Sequence, residues 1–187
     1  SVLDDWLISR MQVLPRNEVD SLLEATAGNV RLSATVDERW VVDPVEPGSS
    51  TEVLGQLVRP LADAGVVRNP DSLVDLLLSR EQLAPTALGH GVAVPHVRRP
   101  EHNAPDGPPV VLGICRDGTK FDAPDGLPVH VFFLLSTASE MVHLRLLKRI
   151  TVMFRDDTLK PELLAHDNAG DLLAALRRAE HERFPGG

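Results

Sequence analysis

The sequence predicts an α/β domain with a central mixed β-sheet flanked by helices. Three observations carry this. Strand-like runs alternate with helix-period segments along most of the chain, the order of a layered α/β domain. Val110–Cys115 and Val129–Leu135 read as buried strands, the second being the most strand-like run present. Turn signals at Asp117-Gly118 and Asp125-Gly126 lie between and beside those runs. Short turns allow antiparallel pairing, so a mixed sheet is expected rather than a purely parallel one.

The elements follow in order. Residues 1–27 read as helical, with one stripe at Trp6, Leu7 and Met11, a second at Val19, Leu22 and Leu23, and Pro15 between them. Neither stripe forms a core alone, so this arm is expected to pack on its own domain or on a second copy. Residues 31–46 read as one or two strands through Leu32, Ala34, Val36 and Trp40-Val41-Val42, ended by Pro44, Pro47 and Gly48. Ser49 and Glu52 have the spacing of a capping box, and Leu54, Leu57, Val58 and Leu61 form one helical face. Pro60 inside that helix is expected to kink or split it. Asn69-Pro70 opens the next helix, with Leu73, Leu76 and Leu77 as its buried side and Arg80 at its end. Residues 98–109 form a polar loop. A helix is expected from Ser139-Glu140 to about Arg155, a short one near 157–165 and a last one near 169–182.

Composition bounds the function. The chain has 187 residues, 43% hydrophobic and 25% charged, which suits one globular domain plus an extension. Its net charge of −8 argues against a broad nucleic-acid surface and against adhesion to anionic membranes. Val129–Leu135, the longest apolar run, is too short to cross a bilayer. The N-terminus has no basic-then-apolar signal pattern, and the single cysteine, Cys115, forms no internal disulfide. These features lead us to expect a cytoplasmic protein, with Cys115 as a small core residue.

Chemistry concentrates in residues 80–96, Arg-Glu-Gln-Leu-Ala-Pro-Thr-Ala-Leu-Gly-His-Gly-Val-Ala-Val-Pro-His. A strand ending in Pro95-His96 holds an imidazole in place, because proline fixes its own φ and biases Val94 toward extended geometry. A histidine accepts a phosphoryl group when one ring nitrogen is unprotonated and the other is held by a hydrogen bond. The product needs donors around its oxygens. Arg80 offers a planar fork, and backbone N–H groups around Gly89 and Gly91 offer an anion nest. Thr86 offers a hydroxyl. His143 offers an imidazole near the positive end of a helix if Ser139 is the cap. Glu81 is expected to pair with Arg80. His90 stands between the two glycines without an assigned role. His102, His130, His166 and His181 read as loop, strand or surface residues. His90, His96 and His143 have no acidic or cysteine ligand at a telling spacing, so no metal and no cofactor are expected.

The stretch from Arg80 to His96 resembles the signature of the enzyme IIA domains of the fructose/mannitol type in the bacterial phosphotransferase system, including their nitrogen-regulatory relatives. In that family Arg-Glu is followed by Thr-x-x-Gly-x-Gly-(Ile/Val)-Ala-(Ile/Val)-Pro-His. This chain departs from it between the glycines, where His90 replaces a residue that is usually small, acidic or Asn. The resemblance covers about residues 38–183, leaving 1–37 as an N-terminal helical extension. Val2–Leu7 and Leu14-Pro15 weakly resemble the end of the winged-helix module that some relatives carry, which makes residues 1–37 a candidate remnant of a truncated upstream module.

The resemblance implies a central mixed sheet flanked by helices and a phosphoryl-carrier domain. It implies His96 as phosphoryl acceptor, His143 as second active-site histidine and Arg80 as anchor. The implied partners are the histidine-containing phosphocarrier protein and either a sugar-specific enzyme IIB domain or a regulated protein. The alternative function is a regulatory module that binds proteins according to its phosphorylation state. Nucleic-acid binding by this chain and membrane insertion are not expected, and a homodimer stays open.

Overall fold

The computed structural model describes residues 30–98, 110–137 and 140–186. The helical arm at 1–27, the loop at 99–109 and Ser139 lie outside the described residues. The elements are α1 (Leu32–Thr35), a 3-10 turn (Glu38–Trp40), β1 (Val41–Val42), α2 (Ser50–Asp63), α3 (Pro70–Leu83), β2 (Ala87–Gly89), β3 (Val92–Ala93), β4 (His96–Arg98), β5 (Val111–Thr119), β6 (Val129–Thr137), α4 (Glu140–Met153), α5 (Leu159–Ala165) and α6 (Ala169–Arg183).

The strands form one mixed sheet in the order β1-β5-β6-β3-β2, with β4 also paired to β6. β1 runs parallel to β5, β5 antiparallel to β6, and β3 and β4 parallel to β6. β6 is the central strand, and Val129–Leu135 is buried throughout except at His130. Phe132 meets Phe121 edge-on on one face, while Phe133 meets Phe154 at the end of α4 on the other. Alternation along the strand places those neighbours on opposite sides, and covering on both sides is why the run is apolar without a break. On the Phe132 side α2 lies close against the sheet. A Cβ on Gly113 would collide with Leu57, so only glycine admits the helix there.

β3 and β4 are one extended segment. Val92 pairs with Val131, Ala93 with Phe132 and His96 with Leu135 in a single register along β6. The segment is interrupted at Pro95, which has no N–H to give, although its carbonyl still accepts from Leu135 (2.9 Å). The sheet therefore carries the chain in a straight line from the Gly91 turn to His96.

Local signals produced the expected helix starts. Ser49 and Glu52 form both halves of the capping box, and Asn69 caps α3 with Pro70 at the first turn. Four expectations are corrected. Residues 32–35 form a helix instead of a strand. The carboxylate of buried Glu180 accepts from the N–H groups of Leu32 (2.7 Å) and Ser33 (2.9 Å), a cap supplied by the far end of the chain. Leu32 is fully buried, so the packed body reaches back upstream of residue 38. Of the kink or split expected at Pro60, the split does not occur: α2 runs through it to Asp63. Asp117-Gly118 is not a turn between strands: it lies within β5, where Gly118 has φ +74° and the register with β6 shifts. Leu76 is not buried beside Leu73 and Leu77 but is 51% exposed. Cys115 is a core residue of β5, and burial pushes its thiol pKa up, which keeps it protonated.

Candidate functional site

His96 opens β4 and is 8% exposed. Its Nδ1 lies 2.7 Å from the carbonyl oxygen of Val94, which only accepts, so Nδ1 carries the proton and donates. That hydrogen bond leaves Nε2 with its lone pair, 3.2 Å from Nη2 of Arg80, which donates to it. The tautomer is assigned from these partners. The ring is thus held from behind by its own strand, with the nucleophilic nitrogen turned toward a cation.

Arg80 and Glu81 are adjacent at the end of α3 and serve different ends of the loop that follows. Arg80 also donates from Nη1 to the carbonyl of Ala84 (3.1 Å), which braces the guanidinium where the helix stops. Glu81 accepts from the backbone N–H of Thr86 (3.1 Å) and from the Thr86 hydroxyl. The Thr86 carbonyl in turn accepts from the N–H of Val94 (3.0 Å). One connected series thereby runs from Glu81 through Thr86 to Val94 and so to Nδ1 of His96.

His143 falls in the first turn of α4, which begins at Glu140. Its ring centroid lies 4.5 Å from that of His96 at an interplanar angle of 50°. The first turn of a helix presents backbone N–H groups and partial positive charge. Arg80 therefore sits on Nε2 of His96, and His143 brings the first turn of α4 beside the same ring.

The structure does not bring the other expected residues to this point. Thr86 is fully buried and its hydroxyl is taken by Glu81, so it orders the loop instead of meeting an incoming oxyanion. Gly89 and Gly91 flank His90 in the turn between β2 and β3, all three at positive φ. Gly91 precedes β3 and His96 lies five residues further along one extended segment. At about 3.3 Å per residue that is roughly 16 Å. The His90 N–H donates to Asp125 (3.0 Å), and its ring lies 3.3 Å from Asp157. The glycine turn thus belongs to the opposite end of the strand from His96, and the expected anion nest is not formed beside it. Sequence reasoning missed the carbonyls of Val94 and Ala84 and the part played by Glu81. A signal for the first was present, since Pro95 fixes the geometry that lets His96 fold back on Val94. Among the described residues no group of three His, Cys, Asp or Glu is placed to hold a metal ion.

A buried imidazole with a fixed tautomer, an arginine on its other nitrogen and a second imidazole against it form the candidate site of a mixed α/β domain. The family described as "Phosphoenolpyruvate-dependent sugar phosphotransferase system, EIIA 2" matches residues 35–179, and the chain belongs to it. The chain is 22% identical over 136 residues to the fructose-specific EIIABC component of Bacillus subtilis, covering 72% of this chain but 21% of that protein. It is 29% identical over 134 residues to the fructose-specific EIIA component of Haloferax volcanii (70% of this chain, 85% of that one). It is 30% identical over 138 residues to the nitrogen regulatory protein of Bradyrhizobium diazoefficiens (73% and 88%). Among solved structures, the nitrogen regulatory protein IIA-Ntr of Neisseria meningitidis superposes with a TM-score of 0.69 at 25% identity, covering 78% of this chain and 98% of that one.

Proposed function

We propose that the chain carries a phosphoryl group on Nε2 of His96. It takes the group from the histidine-containing phosphocarrier protein and passes it to a sugar-specific enzyme IIB domain. The observation that carries this reading is the pair of hydrogen bonds on one ring: Nδ1 to Val94 O at 2.7 Å and Nε2 to Arg80 at 3.2 Å. The Nε2 lone pair attacks the phosphorus of the donor's phosphohistidine. The new phosphorus–nitrogen bond forms as the old one breaks, and its electron pair returns to the donor's ring. The proton stays on Nδ1, donated to the Val94 carbonyl, throughout. Arg80 leaves Nε2 as the lone pair is used and donates to the phosphoryl oxygens, where a planar fork fits. His143 and the first N–H groups of α4 hold the remaining oxygens. In the second half the acceptor's nucleophile attacks the same phosphorus and the pair returns to Nε2.

The test is incubation with phosphoenolpyruvate, its phosphotransferase and the phosphocarrier protein, followed by intact-mass measurement. One phosphoryl group is expected, lost in acid and retained in base as befits a phosphorus–nitrogen bond. A base-labile, acid-stable adduct contradicts the reading.

A second reading has its own support. The nitrogen regulatory relative is 30% identical over 138 residues and is matched along 88% of its length. On that reading the same chemistry sets a phosphorylation state that other proteins read. Among the described residues no helix is long and apolar enough to cross a membrane, which suits either role. Neighbouring genes for membrane sugar-transport domains favour the first reading, and a regulated target captured by only one phosphorylation state favours the second.

A further inference from the structure

Glu180 is a charged residue of α6 in the core, 3% exposed. Its carboxylate joins three helices. Oε1 accepts from the N–H of Leu32 (2.7 Å) and Oε2 from that of Ser33 (2.9 Å), at the start of α1. Oε1 also accepts from Nη1 of Arg149 (3.0 Å), a residue of α4 whose side chain is only 13% exposed. The Arg149 guanidinium lies 4.4 Å from the centre of the Phe184 ring, just past the end of α6. α6 therefore grips α4 by a charged group and an aromatic face, while α1 holds the same carboxylate from another side.

α4 is the helix that brings His143 to His96, with ring centroids 4.5 Å apart. Arg149 lies six residues further on, about 9 Å along the helix axis. The buried side of α4, with Leu147, Ile150 and Met153, packs by apolar contact, which is non-directional. Such packing sets how deep the helix sits and opposes sliding along its axis only weakly. A charge-assisted hydrogen bond adds a defined length and direction. Buried ion pairs give little net stability over apolar residues of similar volume, and their best-attested use is to fix register.

We propose that Glu180 and Arg149 are positioning residues for phosphoryl transfer: they set the register of α4 and so hold His143 against His96. Neither touches the phosphoryl group. A misplacement of about 1 Å at a reacting centre costs about 100-fold in rate, so a tie far from the chemistry has leverage on it. This rests on the phosphoryl-carrier reading and names the contact that keeps its second histidine in place.

The test uses two variants, each checked for folding by circular dichroism. Arg149→Met/Glu180→Gln removes both charges together, so no buried charge is left without a partner. Glu180→Asp keeps a carboxylate but draws it toward α6 by one methylene. Single-turnover labelling is followed at varied concentrations of the phosphorylated phosphocarrier protein. For the double variant the maximal rate should fall about 10- to 100-fold, with the half-saturating donor concentration within about twofold of wild type. Glu180→Asp should lose at least about fivefold in the same quantity, and it carries the test if the double variant does not fold. The deciding measurement repeats both variants in a His143→Ala background. With no imidazole to position, they should slow labelling by no more than about twofold beyond His143→Ala alone. An undiminished further loss in that background overturns the proposal, since the tie would then support the fold at large. A wild-type maximal rate in a folded variant overturns it as well and leaves the carrier reading intact. Wild type that takes no phosphate overturns the carrier reading and, with it, this role for the tie.

Discussion

Nη2 of Arg80 lies 3.2 Å from Nε2 of His96 while Nη1 of the same guanidinium is braced 3.1 Å from the carbonyl of Ala84. The helix end thus fixes the fork against the nitrogen that is proposed to bear phosphate. Arg80→Ala should slow phosphate acceptance by about 100- to 1000-fold, the usual cost of losing one electrostatic donor in a transition state. Arg80→Lys keeps the charge but not the fork and should also stay well below wild type. Single-turnover labelling by the phosphocarrier protein measures both, and a wild-type rate for Arg80→Ala contradicts the assignment.

Thr86 and Glu81 are expected to act on stability more than on phosphate contact. Thr86→Val removes the hydroxyl that donates to the Glu81 carboxylate. Hydrogen bonds to charged groups contribute about 1.5–3 kcal/mol. Urea unfolding should show a loss of about that size, while Thr86→Ser should recover most of it. A Thr86→Val protein of full stability would show that Glu81 does not depend on that hydroxyl.

His90 should be dispensable for phosphate acceptance, because its turn lies at the other end of β3 from His96. It has φ +55°, a conformation that asparagine adopts readily. His90→Asn should therefore fold normally and be labelled at the wild-type rate. His90→Val, β-branched in the same left-handed position, should cost about 1–2 kcal/mol of stability. Loss of labelling in a folded His90→Asn protein would bring that turn into the site.

Much of this was legible in the sequence where the cause is local. Ser49 and Glu52, or Asn69 and Pro70, mark a helix start within four residues. The signature from Arg80 to His96 displayed the proposed acceptor and its arginine together. What was misread depends on distance in space. Leu32–Thr35 is helical because Glu180, 148 residues from Leu32, caps it. Leu76 and Leu77 are neighbours in sequence, yet one faces solvent and one the core, because a helix turns about 100° between them. Gly89 and Gly91 sit inside the signature, but an extended segment carries His96 away from them. Asp117-Gly118 has the chemistry of a turn and is used as an irregularity within a long strand.

Acid should destabilise the fold partly through Asp156. The Thr158 hydroxyl, and after it the Arg183 guanidinium, hold its carboxyl below the usual carboxylate range. A group depressed in the folded state contributes stability that is present above the unfolded pKa, about 3.9 for Asp. It is lost as pH falls through the lower folded value. The melting temperature should therefore drop as pH is lowered below about 4, and Asp156→Asn should flatten part of that slope by lowering the melting temperature near pH 7 while changing little at the acid end. An identical pH profile for the variant would remove Asp156 from the account.

The most direct measurement is the intact mass of wild type, His96→Ala and His143→Ala after incubation with phosphoenolpyruvate, its phosphotransferase and the phosphocarrier protein. His96 holds the lone pair at Nε2, and His143 lies against it with a ring-centroid separation of 4.5 Å. Wild type should gain one phosphoryl group, and folded His96→Ala should gain none at any time. His143→Ala should gain it about 100- to 1000-fold more slowly, as expected for loss of a supporting donor. Full labelling of His96→Ala contradicts the central claim. A dead His143→Ala beside an active His96→Ala would exchange the roles of the two histidines.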